Sequence, residues 1–191
     1  VGGGVVLAGQ LVSATSGCTD GRRRWSWTVV GHVHLVLEHY ARAEKAYLGL
    51  RAMCDGGRVE DDGSLSAFEI NERIAASIYR QAEVALAVND IDVAVMHYLR
   101  VEKVTPTASI APQSTFDGAV LLFSNERYLE SIEVMVGFRV TYPGHAYQND
   151  GTRNLAVDYQ LTAQPRMAAV DYEDVPDDSR EEPEVRGAAI Y

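Results

Sequence analysis

Several things are scarce in this chain of 191 residues. It has 2 cysteines, Cys18 and Cys54, too few for a disulfide framework and silent on redox compartment. Proline occurs 6 times and aromatic residues make up 8%, a composition that suits helices better than a barrel or sandwich. Positive charge is in the minority: 17 Lys and Arg against 27 Asp and Glu leave a net −10. That balance counts against nucleic acid or anionic lipid as the main partner, since both need a basic face. No apolar run reaches the roughly 18 residues that a membrane-spanning helix needs, so no transmembrane span is expected. The first residue is Val1 rather than Met, which fits a processed or cut N-terminus. What is present is 47% apolar and 23% charged residues, enough to bury a core.

Signatures of chemistry are scarce as well. Gly2–Gly4 lack the spacing of a dinucleotide-binding loop, and no phosphate-binding G-x-x-x-x-G-K-[ST] occurs. Neither G-x-S-x-G nor H-E-x-x-H is present. No catalytic residues, no cofactor and no enzymatic activity are therefore expected. His32, His34 and His39 cluster with Glu38, and His34 and Glu38 share a helix face at i, i+4. Without a cysteine or a second histidine pair nearby, they read as packing and surface histidines, with no metal. Glu60-Asp61-Asp62-Gly63 lacks the alternating ligands and distal Glu of a calcium loop. Arg22-Arg23-Arg24 before Trp25 and Trp27 reads as a polar lead-in to a helix. The seven acids of Glu173–Glu184 read as a solvated loop.

Residues 1–23 form an N-terminal segment, either signal-like or disordered. Within it, Val5–Ala14 is short and apolar and runs into Thr15-Ser16-Gly17-Cys18. This resembles the lipobox of bacterial lipoproteins, with Thr15 in place of the usual Leu; the resemblance implies lipidation at Cys18.

The informative feature is a repeat. Ile91–Tyr98, Tyr128–Met135 and Pro165–Tyr172 align at a constant offset of 37. A small residue recurs at Ala94, Ser131 and Ala168, and a large one four positions on at Tyr98, Met135 and Tyr172. Ala82, Ala119 and Ala156 recur at the same interval, each twelve residues ahead of the first set, and Pro106 and Pro143 follow. This is the pattern of two antiparallel helices meeting through small side chains. The large residue fills the gap beside the contact, and proline stops the second helix. Turns are expected at 37–40, 89–90, 125–126 and 162–164. Asx residues suit the second-helix cap and Pro165 its first turn.

A unit of this form resembles the tetratricopeptide repeat (TPR). The first copy reads Trp27, Val30, Gly31, His34, Ala43, Tyr47, Leu50, and the second Ile78, Gln81, Ala82, Ala85, Ala94, Tyr98, Val101, Pro106. The third reads Thr115, Gly118, Ala119, Leu122, Ser131, Met135, Phe138, Pro143. The fourth reads Thr152, Leu155, Ala156, Tyr159, Ala168, Tyr172, Val175, with Arg180 where proline belongs. Copies thus lie near 24–57, 75–108, 112–145 and 149–182, an array over 24–182. Tyr142-Pro143-Gly144-His145 resembles the closing phrase of repeats in bacterial envelope proteins such as the Tol–Pal coordinator and outer-membrane assembly lipoproteins. That likeness implies a periplasmic or outer-membrane-associated setting.

Two departures stand out. Asp55–Ser64 is polar and glycine-rich and reads as a loop, after which Ser66-Ala67-Phe68-Glu69 fits a capping box opening a long helix to Ala87. At the other end, residues 183–191 begin a further helix, as in a fragment of a longer array.

The resemblance implies an all-α fold, an α–α superhelix of helix pairs whose first helices line a concave groove. It places partner contacts at Tyr79, Glu83, Leu86, Gln113, Phe116, Val120, Phe123, Arg153 and Val157. Tyr79, Phe116 and Phe123 would be anchors, and Arg153 could meet a carboxylate. The alternative is that these side chains are plain core. The expected function is a non-catalytic scaffold holding a protein or peptide partner. The other reading is a structural spacer or oligomerisation segment, with self-association into a homo-oligomer.

Overall fold

The computed structural model describes residues 19–54 and 65–174. The expectations for residues 5–14, for Cys18, for the loop at 55–64 with its acids, for the acidic run beyond 174 and for a further helix over 183–191 lie outside the described residues. Eight helices run in order: α1 (Thr19–Val36), α2 (Tyr40–Cys54), α3 (Ala67–Ala87), α4 (Ile91–Val104), α5 (Ala111–Ser124), α6 (Tyr128–Thr141), α7 (Gln148–Leu161) and α8 (Pro165–Asp174). Each packs on the next, and no strand occurs among the described residues. The fold is all-α, a stack of antiparallel helix pairs.

Local chemistry explains the element ends. Ser66 caps α3 by accepting from the Glu69 amide at 3.2 Å, while Glu69 accepts from the Ser66 amide at 2.8 Å. This reciprocal capping box satisfies amides that the first turn leaves orphaned. Asp90 caps α4 through its side chain, accepting from the Val93 amide at 3.2 Å. Helix α4 stops just ahead of Thr105 and Pro106, α6 stops ahead of Tyr142 and Pro143, and Pro165 opens α8.

The turn within every pair is built the same way. Glu38, Asn89, Glu126 and Ala163 have φ of 58°, 60°, 61° and 56°, and the last three are 37 residues apart. The residue after each donates back five positions: His39 to His34, Asp90 to Ala85, Arg127 to Leu122 and Gln164 to Tyr159, at 2.8–3.0 Å. This is the Schellman closure, in which a left-handed residue lets the chain recapture carbonyls at a helix end. Glycine usually holds that place; here none of the four does.

Most repeat columns form the interior, whereas in the first copy Trp27 and Val30 are exposed. Ala43, Ala82, Ala94, Ala119 and Ala156 are fully buried, as are Ser131 and, nearly so, Ala168. Tyr47, Tyr98 and Met135 fill the spaces beside them. One apolar cluster gathers Tyr47, Leu50, Ile70, Ile74, Ile78 and Val101 from α2, α3 and α4. A second gathers Ala119, Met135, Leu155, Tyr159 and Ala168 from α5 to α8.

Polar ties cross between pairs. Glu44, buried on α2, accepts from Gln81 on α3 at 2.7 Å and takes both terminal nitrogens of Arg100 on α4. Arg51 on α2 donates to the Val104 carbonyl at the end of α4 at 2.9 Å. Arg139 on α6 meets Asp171 on α8 at 2.6 Å.

Candidate protein-binding face

The nine residues singled out from the repeat frame all lie on α3, α5 and α7, the first helices of the second, third and fourth pairs. Helix α5 touches α7 directly, and α3 is joined to α5 by the Tyr79 hydroxyl, which donates to Asp117 Oδ2 at 2.7 Å. The three first helices therefore neighbour one another along one side of the stack.

Within that side the nine residues divide by what the fold already asks of them. Phe116 is half-buried, stacked on Tyr147 with ring centroids 5.0 Å apart and tilted against Phe138 at 6.1 Å. It and Val120 pack against the second apolar cluster. Tyr79 sets its ring edge against Tyr98 at 5.1 Å. Burial, with the Asp117 carboxylate next in effect, pushes its phenol well above the usual tyrosine range, so it stays a neutral donor. Phe123 meets Tyr128 edge-on at 5.8 Å. These aromatic groups hold helices together and offer a partner only what remains of their surfaces.

The other members face outward more freely. Leu86 and Gln113 are exposed, and Gln113 donates to the Tyr79 hydroxyl at 3.4 Å. Glu83 accepts from Arg80 at 2.6 Å and Arg153 donates to Asp150 at 3.2 Å, both surface pairs three residues apart on one helix. Such pairs hold little energy and re-form readily around a new partner. Val157 is half-buried on α7.

Sequence reasoning missed Asp117 and Tyr147. Asp117 is one turn from Gln113 on α5, so a carboxylate facing the preceding first helix was open to detection. Tyr147 lies between α6 and α7, off every repeat column, and no periodic signal points to it. It also missed a cleft of about 540 Å³ on the side where α2, α3 and α4 begin and end, lined by Tyr40, Gln81, Val84, Val88, Val93 and His97. His97 has a buried Nδ1 without a hydrogen-bond partner, and burial holds its imidazole below the usual histidine range, with Arg100 adding to the effect.

The histidine cluster near the first turn packs locally. His32 Nδ1 lies 2.9 Å from the Thr28 carbonyl, with its ring edge-on to Tyr47 at 5.9 Å. The His34 and His39 rings are 5.7 Å apart. Among the described residues no three His, Cys, Asp or Glu side chains are grouped to hold a metal ion, and no helix is long and apolar enough to cross a membrane.

No protein-family model matches the chain. No curated protein sequence does either. Among solved structures it is similar to the MamA protein, at 12% identity over 81% of this chain and 91% of that one, with a TM-score of 0.44. It is also similar to a Podosopora anserina putative kinesin light chain with nearly identical TPR-like repeats, solved both unaltered and as a point variant. Each of these shows 15% identity over 88% of this chain and 82% of that one, with a TM-score of 0.46.

Proposed function

We propose that the chain is a non-catalytic protein-interaction scaffold that holds a peptide or protein along α3, α5 and α7. The observation that carries this reading is the run of three adjacent first helices, joined through Tyr79 and Asp117 and by α5 against α7. A rigid multi-helix side with exposed Leu86 and Gln113, and with surface ion pairs at Glu83 and Arg153, suits recognition by shape and a few polar contacts. Phe116 and Tyr79 act here as supports that fix the surface, while Leu86, Gln113, Phe123 and Arg153 meet the partner. The closing phrase at Tyr142–His145 supports a setting in the bacterial cell envelope.

The test uses positions the fold can spare. A chain carrying Leu86→Asp and Gln113→Arg is expected to lose captured partners in affinity purification while its circular dichroism remains helical. Retention of the same partners by that chain would remove this side of the stack from the proposal.

A further inference from the structure

The second helices are joined to one another across the first helix between them, and two of these junctions are built differently. Between α2 and α4, two guanidinium groups span the gap. Arg100 of α4 meets Glu44, and Arg51 of α2 donates to the Val104 carbonyl at 2.9 Å. With Ala43, Ala94 and Ser131 aligned in one column, the same positions can be read between α4 and α6. Glu44 and Arg51 become Val95 and Glu102 of α4, and Arg100 and Val104 become Gly137 and Thr141 of α6. Both arginines are gone, one replaced by glycine and the other by a carboxylate.

The result is an open groove of about 340 Å³ between α4 and α6, with Thr115 and Leu122 of α5 at its floor. Val95, Leu99 and Glu102 follow one another at i, i+4, i+7 along its α4 wall, and Glu133 and Gly137 stand one turn apart on α6. A Cβ built at Gly137 meets nothing within 4 Å. Alanine there would clash with nothing and would favour the helix by about 1 kcal/mol, so the chain's own packing does not ask for glycine. A glycine at such a point lets another chain approach closely.

The charge of the groove is one-sided as well. Glu102, Glu130 and Glu133 line it against Lys103. Glu130 is held by Arg127, which also meets Asp92 of α4 at 2.6 Å and so ties the two helices at their turn end. Glu102 accepts from the Thr115 hydroxyl at 3.0 Å and keeps further acceptor capacity, and Glu133 is exposed. Two carboxylates beside an apolar wall suit a cation on an apolar carrier.

We propose that this groove is a second docking site, which takes an arginine-bearing, otherwise apolar segment of a partner protein. The partner's guanidinium meets Glu102 and Glu133, doing at this junction what Arg100 does at the first, and its apolar side chains lie on Val95, Leu99 and Val134 beside Gly137. At helical spacing Thr115 and Leu122 point away from the side of α5 that carries Gln113, Phe116 and Phe123. The groove is therefore separate from the α3, α5 and α7 side.

The probe is a phage-displayed library of short random peptides, depleted on the full chain carrying Gly137→Arg and then selected on the parent chain. That variant plants the missing guanidinium in the groove, and it should melt no lower than the parent because arginine is the better helix former. Winners are expected to be rich in arginine with apolar neighbours. In fluorescence anisotropy Gly137→Leu, which fills the groove without changing its charge, should weaken them at least about tenfold. Glu133→Gln should weaken them about threefold. The chain with Leu86→Asp and Gln113→Arg should bind them as the parent does. An empty selection, winners with no excess of arginine, or winners indifferent to both Gly137→Leu and Glu133→Gln would overturn the proposal. So would loss of binding in the Leu86→Asp, Gln113→Arg chain, which would assign the peptides to the α3, α5 and α7 side.

Discussion

A side chain begun at Gly31 would meet Tyr47: a Cβ built there stands 2.7 Å from two carbons of the ring. The ring cannot yield, because Tyr47 is fully buried between α1 and the first apolar cluster. Gly31→Ala should therefore destabilise the fold by about 1–3 kcal/mol through overpacking. Gly118 is the milder case. Its added carbon would lie 2.9 Å from Leu99 Cδ2, the far end of a flexible chain on a half-buried residue. Chemical denaturation of the two alanine variants should rank Gly31 above Gly118; the reverse order would contradict the contact.

Asp158 on α7 is fully buried, and neither of its carboxylate oxygens has a hydrogen-bond partner, nor has the hydroxyl of Ser131 on α6. Burial pushes its carboxyl up to about 6. The folded state thus holds this proton more tightly than the unfolded chain, whose carboxyl titrates at 3.8. Between those values the folded state binds more protons, so this group's contribution to stability falls as pH rises from 3.8 to about 6. The loss is of the order of 2–3 kcal/mol at neutral pH. Asp158→Asn should be more stable than the parent at pH 7, and the gain should vanish below pH 4, as read by thermal melts across that range.

The four left-handed turn residues make a third case. Ala163 has φ of 56° and a Cβ that this conformation crowds. Ala163→Gly should gain roughly 0.5–1 kcal/mol, because the left-handed strain relieved exceeds the extra entropy glycine gives the unfolded chain. Glu126→Gly should act in the same direction. A loss of stability in both would mean that the turn conformation is not the one that limits these pairs.

Glu44 and Arg100 join the first two pairs. Removing the guanidinium by Arg100→Ala leaves a buried carboxylate with Gln81 as its remaining side-chain donor. The expected cost is about 2 kcal/mol, below that of a wholly buried pair because Arg100 is one-third exposed. A double-mutant cycle with Glu44→Gln should return a coupling above about 0.5 kcal/mol, the level at which contacting residues separate from independent ones.

Much of the fold was legible because packing in a stack is local and periodic. Ala82, Ala94, Ala119 and Ser131 announce themselves by spacing, since two helices can close only where both present a small side chain. The long α3 was legible from Ser66 and Glu69, whose reciprocal bonds need no tertiary partner. The side proposed to bind a partner was legible as three helices and not as a list of free residues. Whether Phe116 reaches solvent depends on Tyr147, a residue in the connection between α6 and α7 that the repeat columns do not include. Tyr79 likewise depends on a carboxylate 38 residues away. Contacts of this kind are set by the three-dimensional arrangement and leave no period behind.

The interior is parted between two apolar clusters, one centred on Ile74 and Ile78, the other on Met135 and Leu155. Loss of order need not be all at once. Amide protons of α7 and α8 can exchange through partial opening while those of α3 and α4 wait for the whole chain to come apart. A client gripped across α3, α5 and α7 would bridge both halves, so its arrival should slow exchange most at the far end of the molecule.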